Sequence, residues 1–536
     1  MSQNRSGKVF STAFLASFFL FWFFAFALMV RGMPPNGDPV NYFVVAQSIA
    51  ENGTVALEKN EFVPLDPGPD GAYYSKFGIA QSVLEAPFYL IGKVFAPRDE
   101  IFRYSFLYLC AVMSVPFISS LTIILFLLAA IELGFKKGAS LAAAVLLGTA
   151  TMIWPYSRFG FSEPLQAFAL TGAVLFAFRT RTRGTTLSSM LCGTMLGILI
   201  LTKSANLLAA PALAVYIYLQ AGKTTRERII HRASFAAPLI IFLAFLLLYN
   251  DTRYGSPFVL GYSSGRDAEF GFGTPFAAGL YGFLLSPGKS IFLYSPVIIA
   301  ALAGIPAFHR RNRGENFLIW AIVVPVMLMY SCWWAWHGDW CWGPRFFVPV
   351  IPLVMIPLLP VLESLPAAGR VTRASFGALV AVSVFIQVLG VTVNFYEYIM
   401  IARHQVPYNI FYVPDSPKMR DDQLKVHFIP DFSPVAGHAW LLRHTLLHSK
   451  LPAEKLRAEM QKDFPWRNLM DYAPPQRPET GAGFDAWWNY YPRFFPESAQ
   501  RVKIFVTLLC IASVLSLAAA ALLFPRGPAG TDIPRS

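Results

Sequence analysis

Apolar runs recur along the chain at lengths close to the thickness of a lipid bilayer. A helix needs about 20 mostly apolar residues to cross the bilayer core, and runs of this kind, some shorter, alternate with polar and proline-rich connections. They predict an all-α polytopic membrane protein with about twelve transmembrane helices. The predicted spans are 10–30, 104–133, 139–153, 164–178, 187–201, 206–219, 233–249, 291–308, 317–333, 346–362, 376–395 and 502–524.

Most of the basic residues in the short connections between these runs fall on one side of the predicted membrane. Because positively charged loops stay in the cytoplasm, this side is predicted to be cytoplasmic, and both termini with it. The connections 31–103, 154–163, 250–290, 333–345 and 396–501 then face outward. The basic residues that set this orientation are Arg5, Lys8, Lys136, Lys137, Arg179, Arg181, Arg183, Lys223, Arg226, Arg228, Arg232, Arg310, Arg311, Arg313, Arg370 and Arg373.

The first outward loop, 31–103, is predicted to contain two short amphipathic helices. One begins at Asp38, directly after the first span, and the other covers about 78–94. Aspartate before proline is a favoured helix start, so Asp38 followed by Pro39 suits an N-cap. A carboxylate at the outer membrane face also suits a general base. The two interpretations are compatible.

Composition agrees with a membrane protein and accounts for the charge. The 536 residues are 55% apolar, 15% aromatic and 14% charged, and the net charge is +13. Since the excess of Lys and Arg lies in the loops of one side, it follows the positive-inside rule and needs no nucleic acid partner. The segment 10–30 is predicted to be a retained anchor. We divide the chain into a transmembrane module, 1–395, an outward segment, 396–501, that caps it, and a last span with its tail, 502–536.

Five cations are predicted to surround an outward cavity with apolar walls. Singly, each is explained by snorkelling or by an interface position. Together they suit a lipid phosphate, since arginine makes bidentate phosphate contacts and lysine neutralises charge at a point. These candidates are Lys76, Arg158, Lys203, Lys289 and Arg345.

The tryptophan-rich stretch WWAWHGDWCWGPRFF, at 333–347, has two interpretations. Aromatic side chains concentrate at membrane interfaces, which alone accounts for them. Rings interleaved with polar groups also suit a sugar, so Trp336, His337 and Asp339 are candidate substrate contacts, together with Tyr74 beside Lys76.

Two further clusters stay open at the sequence level. Cys332 and Cys341 flank one outward loop and could pair, although spacing alone does not establish disulfide geometry. Asp66 and Asp70, in PLDPGPDG, could hold a divalent cation, but turn chemistry explains them equally well. No metal site is therefore predicted.

Several stretches of the chain resemble the GT-C superfamily of integral-membrane glycosyltransferases. They are GDPVNYFVVAQSIAENG, YYSKFGIAQSVLEAPFYLIG, WPYSRFGFSEPL, GY…TPFAAGLYGFLLSPGKSIFLYSP and WWAWHGDWCWGPRFFVPVIPL. The resemblance is closest to the branch of protein O-mannosyltransferases and the aminoarabinose transferase of lipid A. Many relatives carry a second acid where this chain has Pro39, and Lys76 is followed by Phe-Gly instead of two prolines.

The resemblance implies a fold of the GT-C type and an enzyme that uses a polyprenyl-phosphate-linked sugar as donor. It implies that Asp38 is the catalytic acid after the first span, that Lys76 belongs to the same loop, and that Arg345 contacts the donor phosphate. The acceptor would be a lipid, a glycan or a protein at the periplasmic face of a bacterial inner membrane. Inverting chemistry without a metal is expected, since this chain has Pro39 where many relatives carry a second acid. No ATP is needed, because the phosphate-linked sugar is already activated.

A transporter or flippase of a lipid-linked or small polar solute is the alternative. Such a protein would carry ionisable residues in mid-span and broken helices in two matched halves. The charge lies in the loops instead, and the sequence shows no matched halves. The sequence favours the transferase.

Overall fold

The computed structural model describes most of the predicted membrane part and two pieces of the outward segment before the last span. The residues described are 10–31, 37–59, 63, 65–220, 222, 224–263, 265–338, 341–395, 398, 427–448, 455 and 484–525. Asp339 and most of 396–501 therefore lie outside the described residues.

The first half of the chain is helical apart from one small hairpin in the first loop. Strands β1 (Asp66–Pro67) and β2 (Tyr73–Tyr74) pair antiparallel, with Asp66 opposite Tyr74. The helices are α1 (Thr12–Leu28), α2 (Asp38–Asn52), α3 (Ala80–Val94), α4 (Glu100–Val112), α5 (Ser114–Glu132), α6 (Lys137–Thr149), α7 (Ile153–Tyr156), α8 (Glu163–Arg183), α9 (Thr186–Thr202), α10 (Ala209–Gln220) and α11 (Thr225–Tyr254).

The second half continues with shorter helices, several of them separated by prolines or glycines. They are α12 (Gly265–Phe270), α13 (Phe276–Leu285), α14 (Ile291–Tyr294), α15 (Val297–Ala303), α16 (Ile305–Arg311), α17 (Arg313–Cys332), α18 (Ile351–Met355), α19 (Leu358–Ser364), α20 (Arg370–Thr392), α21 (Pro434–His448), α22 (Trp487–Phe494) and α23 (Ala499–Leu523). Short 3₁₀ turns lie at Ser204–Leu208, Arg345–Val350, Leu365–Ala367, Pro430–Phe432 and Pro496–Ser498.

Five helical stretches among the described residues are long and apolar enough to cross a membrane. A sixth is formed if the pair Arg345–Met355 and Leu358–Ala367, which bends by 45°, counts as one span. The stretches are Glu100–Glu132, Thr225–Tyr254, Arg313–Cys332, Arg370–Thr392 and Pro496–Leu523. The helical membrane fold is confirmed, whereas the count of about twelve spans stays a prediction.

Helices lie at each of the remaining predicted spans. The helix at 164–178 is α8, which has 21 residues, and the others are shorter or broken. Thr12–Leu28, Lys137–Thr149 and Thr186–Thr202 are apolar helices of fewer than 18 residues. The predicted span 291–308 is divided into α14, α15 and α16, because Pro296 and Pro306 have no amide hydrogen to continue the helix.

The core of the membrane part is built where α8 is surrounded by its neighbours. Helix α8 packs against α5, α9 and α10, and α1 packs against α5 and α23. The apolar side chains on these faces, such as Phe26, Phe126 and Phe178, are almost fully buried. This packing fixes the N-terminal end of α8 and the C-terminal end of α9, which carry Glu163 and Lys203.

The two helices predicted in the first outward loop are confirmed. Helix α2 packs against α3, and α3 against α4. At the start of α2 the N-cap is Gly37, with φ 96° and ψ −139°, a conformation that favours glycine. The N-cap interpretation of Asp38 is therefore wrong: Asp38 is the first helical residue, and its carboxylate is directed elsewhere.

Candidate active site

The Asp38 carboxylate is hydrogen-bonded to the guanidinium of Arg345, which is distant in the sequence. Arg345 Nη1 donates a hydrogen bond to Asp38 Oδ2 at 3.0 Å, across 307 positions of sequence. Arg345 begins the 3₁₀ turn Arg345–Val350, after the tryptophan-rich stretch. The structure thus brings together the two residues that the sequence resemblance linked as catalytic acid and phosphate contact.

A second carboxylate, Glu163, shares this guanidinium and was missed by the sequence analysis. Glu163 Oε1 lies 3.8 Å from Arg345 Nε, and its side chain is nearly buried. Glu163 opens α8 and is followed by Pro164, just as Asp38 opens α2 before Pro39. An acid followed by proline at the start of a helix is the signal that could have identified it.

Tyr42 lies one turn into α2 and completes the polar surroundings of this pair. Its hydroxyl donates to Ser162 Oγ at 3.1 Å. Burial, and then the charges of Asp38 and Glu163, raise the pKa of Tyr42 well above its ordinary value, so the hydroxyl stays protonated. Its ring lies 5.1 Å from that of Phe77, which links α2 to the segment carrying Lys76.

Lys203 stands beside Arg345 in an aromatic box. It is the C-cap of α9 and has an extended backbone. The ammonium lies 4.3 Å from the ring centroid of Phe346 and 5.2 Å from that of Tyr330. Within the described part of the chain it has no carboxylate partner. Since the electron-rich faces of rings stabilise a cation without neutralising it, this ammonium is suited to receive an anion.

Lys76 approaches the same wall from the first loop. Its ammonium lies 5.4 Å from the centroid of the Tyr262 ring, and that of Lys203 lies 6.0 Å from the same centroid. Lys76 also forms an ion pair with Asp267, on α12. Arg345 and Lys203 both contact Phe346, so the three cations line one continuous wall.

Two of the predicted phosphate contacts are used inside the protein instead. Arg158 is fully buried, and its guanidinium donates to the carbonyls of Gly390 and Val391 and to Asp485 Oδ2 at 2.8 Å. Lys289 is fully buried as well, and its ammonium donates to the carbonyl oxygens of Cys341 at 2.9 Å and Gly343 at 3.2 Å. Both cations hold segments together, and the structure does not bring them to Asp38.

The predicted sugar contacts are also not gathered at Asp38. Trp336 is fully buried with its ring edge-to-face against Phe283. His337 is buried too, and its ring lies 4.7 Å from that of His427. Tyr74 donates to Asp70 Oδ2 at 2.7 Å within the hairpin of the first loop. Asp339 lies outside the described residues.

Cys332 and Cys341 are free thiols, and Cys341 Sγ lies against the carbonyl of Gly338 instead. Asp70 also accepts from the amide of Ala72 at 3.1 Å, which is turn chemistry. Among the described residues, no group of three His, Cys, Asp or Glu side chains is placed to hold a metal ion.

The comparisons with known proteins give likenesses of structure. No family model matches the sequence, and no curated protein matches it. The chain is similar to the crystal structure of ArnT from Cupriavidus metallidurans bound to undecaprenyl phosphate, at 14% identity and TM-score 0.45, over 95% of this chain and 76% of that one.

Two archaeal structures are similar as well. One is the oligosaccharyltransferase AglB from Archaeoglobus fulgidus in complex with an inhibitory peptide and a dolichol-phosphate, at 13% identity and TM-score 0.41, over 91% of this chain and 63% of that one. The other is the Archaeoglobus fulgidus oligosaccharyltransferase tethered with an acceptor peptide, at 12% identity and TM-score 0.40, over 88% and 60%. The chain thus spans less than two thirds of these two proteins. The three likenesses are at 12–14% identity and TM-scores of 0.40–0.45.

Proposed function

We propose that this chain is a glycosyltransferase that moves a sugar from a polyprenyl-phosphate-linked donor to an acceptor at the outer face of a bacterial inner membrane. The observation that carries the proposal is the carboxylate of Asp38 on Arg345, beside a wall that also holds Lys203 and Lys76. A base and several preplaced cations are the parts that such a transfer needs.

In the proposed reaction the acceptor hydroxyl attacks the anomeric carbon of the donor sugar from the side opposite the phosphate. The new bond joins the acceptor oxygen to that carbon, and the bond from the carbon to the phosphate oxygen breaks. The proton of the hydroxyl passes to Asp38, and the electron pair of the broken bond leaves with the polyprenyl phosphate. A positioned carboxylate contributes a factor of about 10²–10⁴ to such a step.

Lys203 and Arg345 have different roles in this proposal. Negative charge grows on the leaving phosphate, and preplaced cations stabilise it without having to reorganise. Lys203 is assigned to the phosphate, because its aromatic box leaves the charge of its ammonium unneutralised. Arg345 contacts the two carboxylates of Asp38 and Glu163, so its role in this proposal is to orient Asp38. The apolar rings of Tyr330 and Phe346 suit the prenyl chain next to its phosphate.

Replacement of Asp38 by Asn tests the proposal. In a strain that lacks the chromosomal copy, the wild-type gene should restore one sugar to an envelope glycan, measured as a mass difference, and D38N should not. Asp99→Asn is the matched control: Asp99 is the N-cap of α4, and asparagine caps a helix equally well. The proposal is wrong if D38N restores the sugar fully, or if deletion changes no glycan and instead blocks the movement of a solute across the membrane.

A further inference from the structure

The ammonium of Lys76, unlike that of Lys203, is occupied by an acid of the protein. Lys76 Nζ lies 2.5 Å from Asp267 Oδ2, and the side chain of Lys76 is still 32% exposed while that of Asp267 is only 9% exposed. The other oxygen, Asp267 Oδ1, accepts from Trp334 Nε1 at 3.0 Å. The acid is therefore anchored on the tryptophan side and reaches the lysine from a fixed position.

Lys76 does not depend on this acid for its place in the fold. Arg253, at the end of α11, donates from Nη1 to the carbonyl oxygens of Ser75 at 2.7 Å and Phe77 at 3.0 Å, on both sides of Lys76. Arg253 is in turn held by Asn250 Oδ1 at 2.8 Å. Because the backbone on either side of Lys76 is fixed by Arg253, the ion pair with Asp267 has no evident role in positioning it.

A carboxylate oxygen and a phosphate oxygen offer the same chemistry to an ammonium group, namely negative charge and a hydrogen-bond acceptor. We propose that Asp267 holds the place of the donor phosphate on Lys76, and that the donor displaces it on binding. This inference rests on the proposed function. It adds to the proposed function a residue, Asp267, that lowers the affinity of the site for the phosphate.

The same contact would act again after the transfer. The product that remains in the site, polyprenyl phosphate, carries the same phosphate group as the donor. Since Asp267 stays anchored to Trp334, it competes with the product for Lys76 and weakens the hold of the site on it. Asp267 thus lowers the affinity for donor and product alike, and it favours release of the product.

Asp267→Asn removes the competing charge with little change of shape, because the amide oxygen of asparagine still accepts from Trp334. Because the variant loses the charge that competes for this partly exposed lysine, it should bind a lipid phosphate about two- to tenfold more tightly. Glu269→Gln is the matched control. Glu269 lies on the same short helix with an exposed side chain, and its substitution removes the same charge from the same surface.

The experiment measures the Kd of geranylgeranyl phosphate and of geranylgeraniol with the detergent-purified full-length chain. Asp267→Asn should bind the phosphate two- to tenfold more tightly than wild type, while its affinity for the alcohol and the affinities of Glu269→Gln stay unchanged. Binding of the alcohol also reports that each variant is folded.

Three other outcomes overturn the inference, and they separate it from the proposed function. Equal or weaker phosphate binding by Asp267→Asn, with a wild-type preference for the phosphate over the alcohol, refutes the role of Asp267 and leaves the lipid-phosphate donor standing. Equal gains in both variants reduce the effect to surface charge. If neither wild type nor Asp267→Asn prefers the phosphate, both the inference and the assignment of this wall to the donor phosphate fail.

Discussion

A buried acid in the first outward loop predicts an unusual dependence of stability on pH. Glu85 lies on the inner face of α3 and is fully buried. Its Oε1 accepts from Gln81 Nε2 at 2.7 Å, whereas its Oε2 has no hydrogen-bond partner among the described residues. Burial raises the pKa of Glu85 from 4.5 to about 8, and the bond from Gln81 offsets this only in part. At neutral pH the folded protein therefore keeps this carboxyl group protonated.

The sign of the effect follows from comparison of the folded and unfolded chains. As pH rises above 4.5, the unfolded chain loses this proton and the folded chain keeps it, so the free energy of unfolding falls until pH reaches about 8. Each pH unit in this window costs the folded state about 1.4 kcal/mol. At pH 7 the cost is about 3 kcal/mol, and above pH 8 it no longer grows.

Replacement of Glu85 by Gln should remove this cost. The amide presents the same oxygen to Gln81 and an N–H group where the protonated acid has its O–H. We expect Glu85→Gln and wild type to unfold at similar temperatures near pH 5, and the variant to be more stable by several degrees near pH 8. Thermal unfolding of the detergent-purified chain, followed by tryptophan fluorescence, measures the difference.

Glu58→Gln serves as the control, because Glu58 is an exposed acid of the same loop. Its difference from wild type should not change between pH 5 and pH 8. If Glu85→Gln instead loses the same stability at both pH values, Glu85 is ionised in the folded protein and stabilised by a charge, and the reasoning from burial is refuted.

Two further predictions concern the cations. Lys203→Met should raise the KM for the polyprenyl-phosphate donor about tenfold or more, since one preplaced charge is lost. The control Lys93→Met removes a surface lysine paired with Glu51 and should leave KM unchanged. Equal KM values for the two variants would contradict the assignment of Lys203. Arg158→Met should lower the free energy of unfolding by about 3–5 kcal/mol, because it leaves Asp485 buried with one cation fewer. If the variant is as stable as wild type in thermal unfolding, Arg158 does not have this structural role.

In the first loop the local sequence pattern predicts the helices but not the direction of a side chain. Short helices at about 38–52 and 78–94 follow from their amphipathic spacing and from the Asp-Pro start, and the structure has both. The direction of the Asp38 side chain did not follow. Because Gly37 takes the N-cap position with φ 96°, the Asp38 carboxylate does not cap the helix. The Asp-Pro pattern alone does not distinguish an aspartate at the N-cap from one at the first helical position.

The cations show where the sequence stops being informative. The local setting is the same for four cations, each a basic residue near one end of an apolar run: Lys203, Lys289, Arg158 and Arg345. Two of them are buried against backbone carbonyls and two line the candidate site. Local sequence does not separate them, because the partners come from elements more than 50 positions away.

The sequence by itself determined that this chain is a helical membrane protein and where most of its helices lie. It also identified Asp38, in the first loop, as the candidate acid. These properties depend on hydropathy and on turn chemistry within a few residues. Only the tertiary structure decided that Asp38 and Glu163 both contact Arg345, and that Asp267 pairs with Lys76. Such contacts depend on how helix ends are packed side by side, and the packing is set by the shapes of whole helix faces.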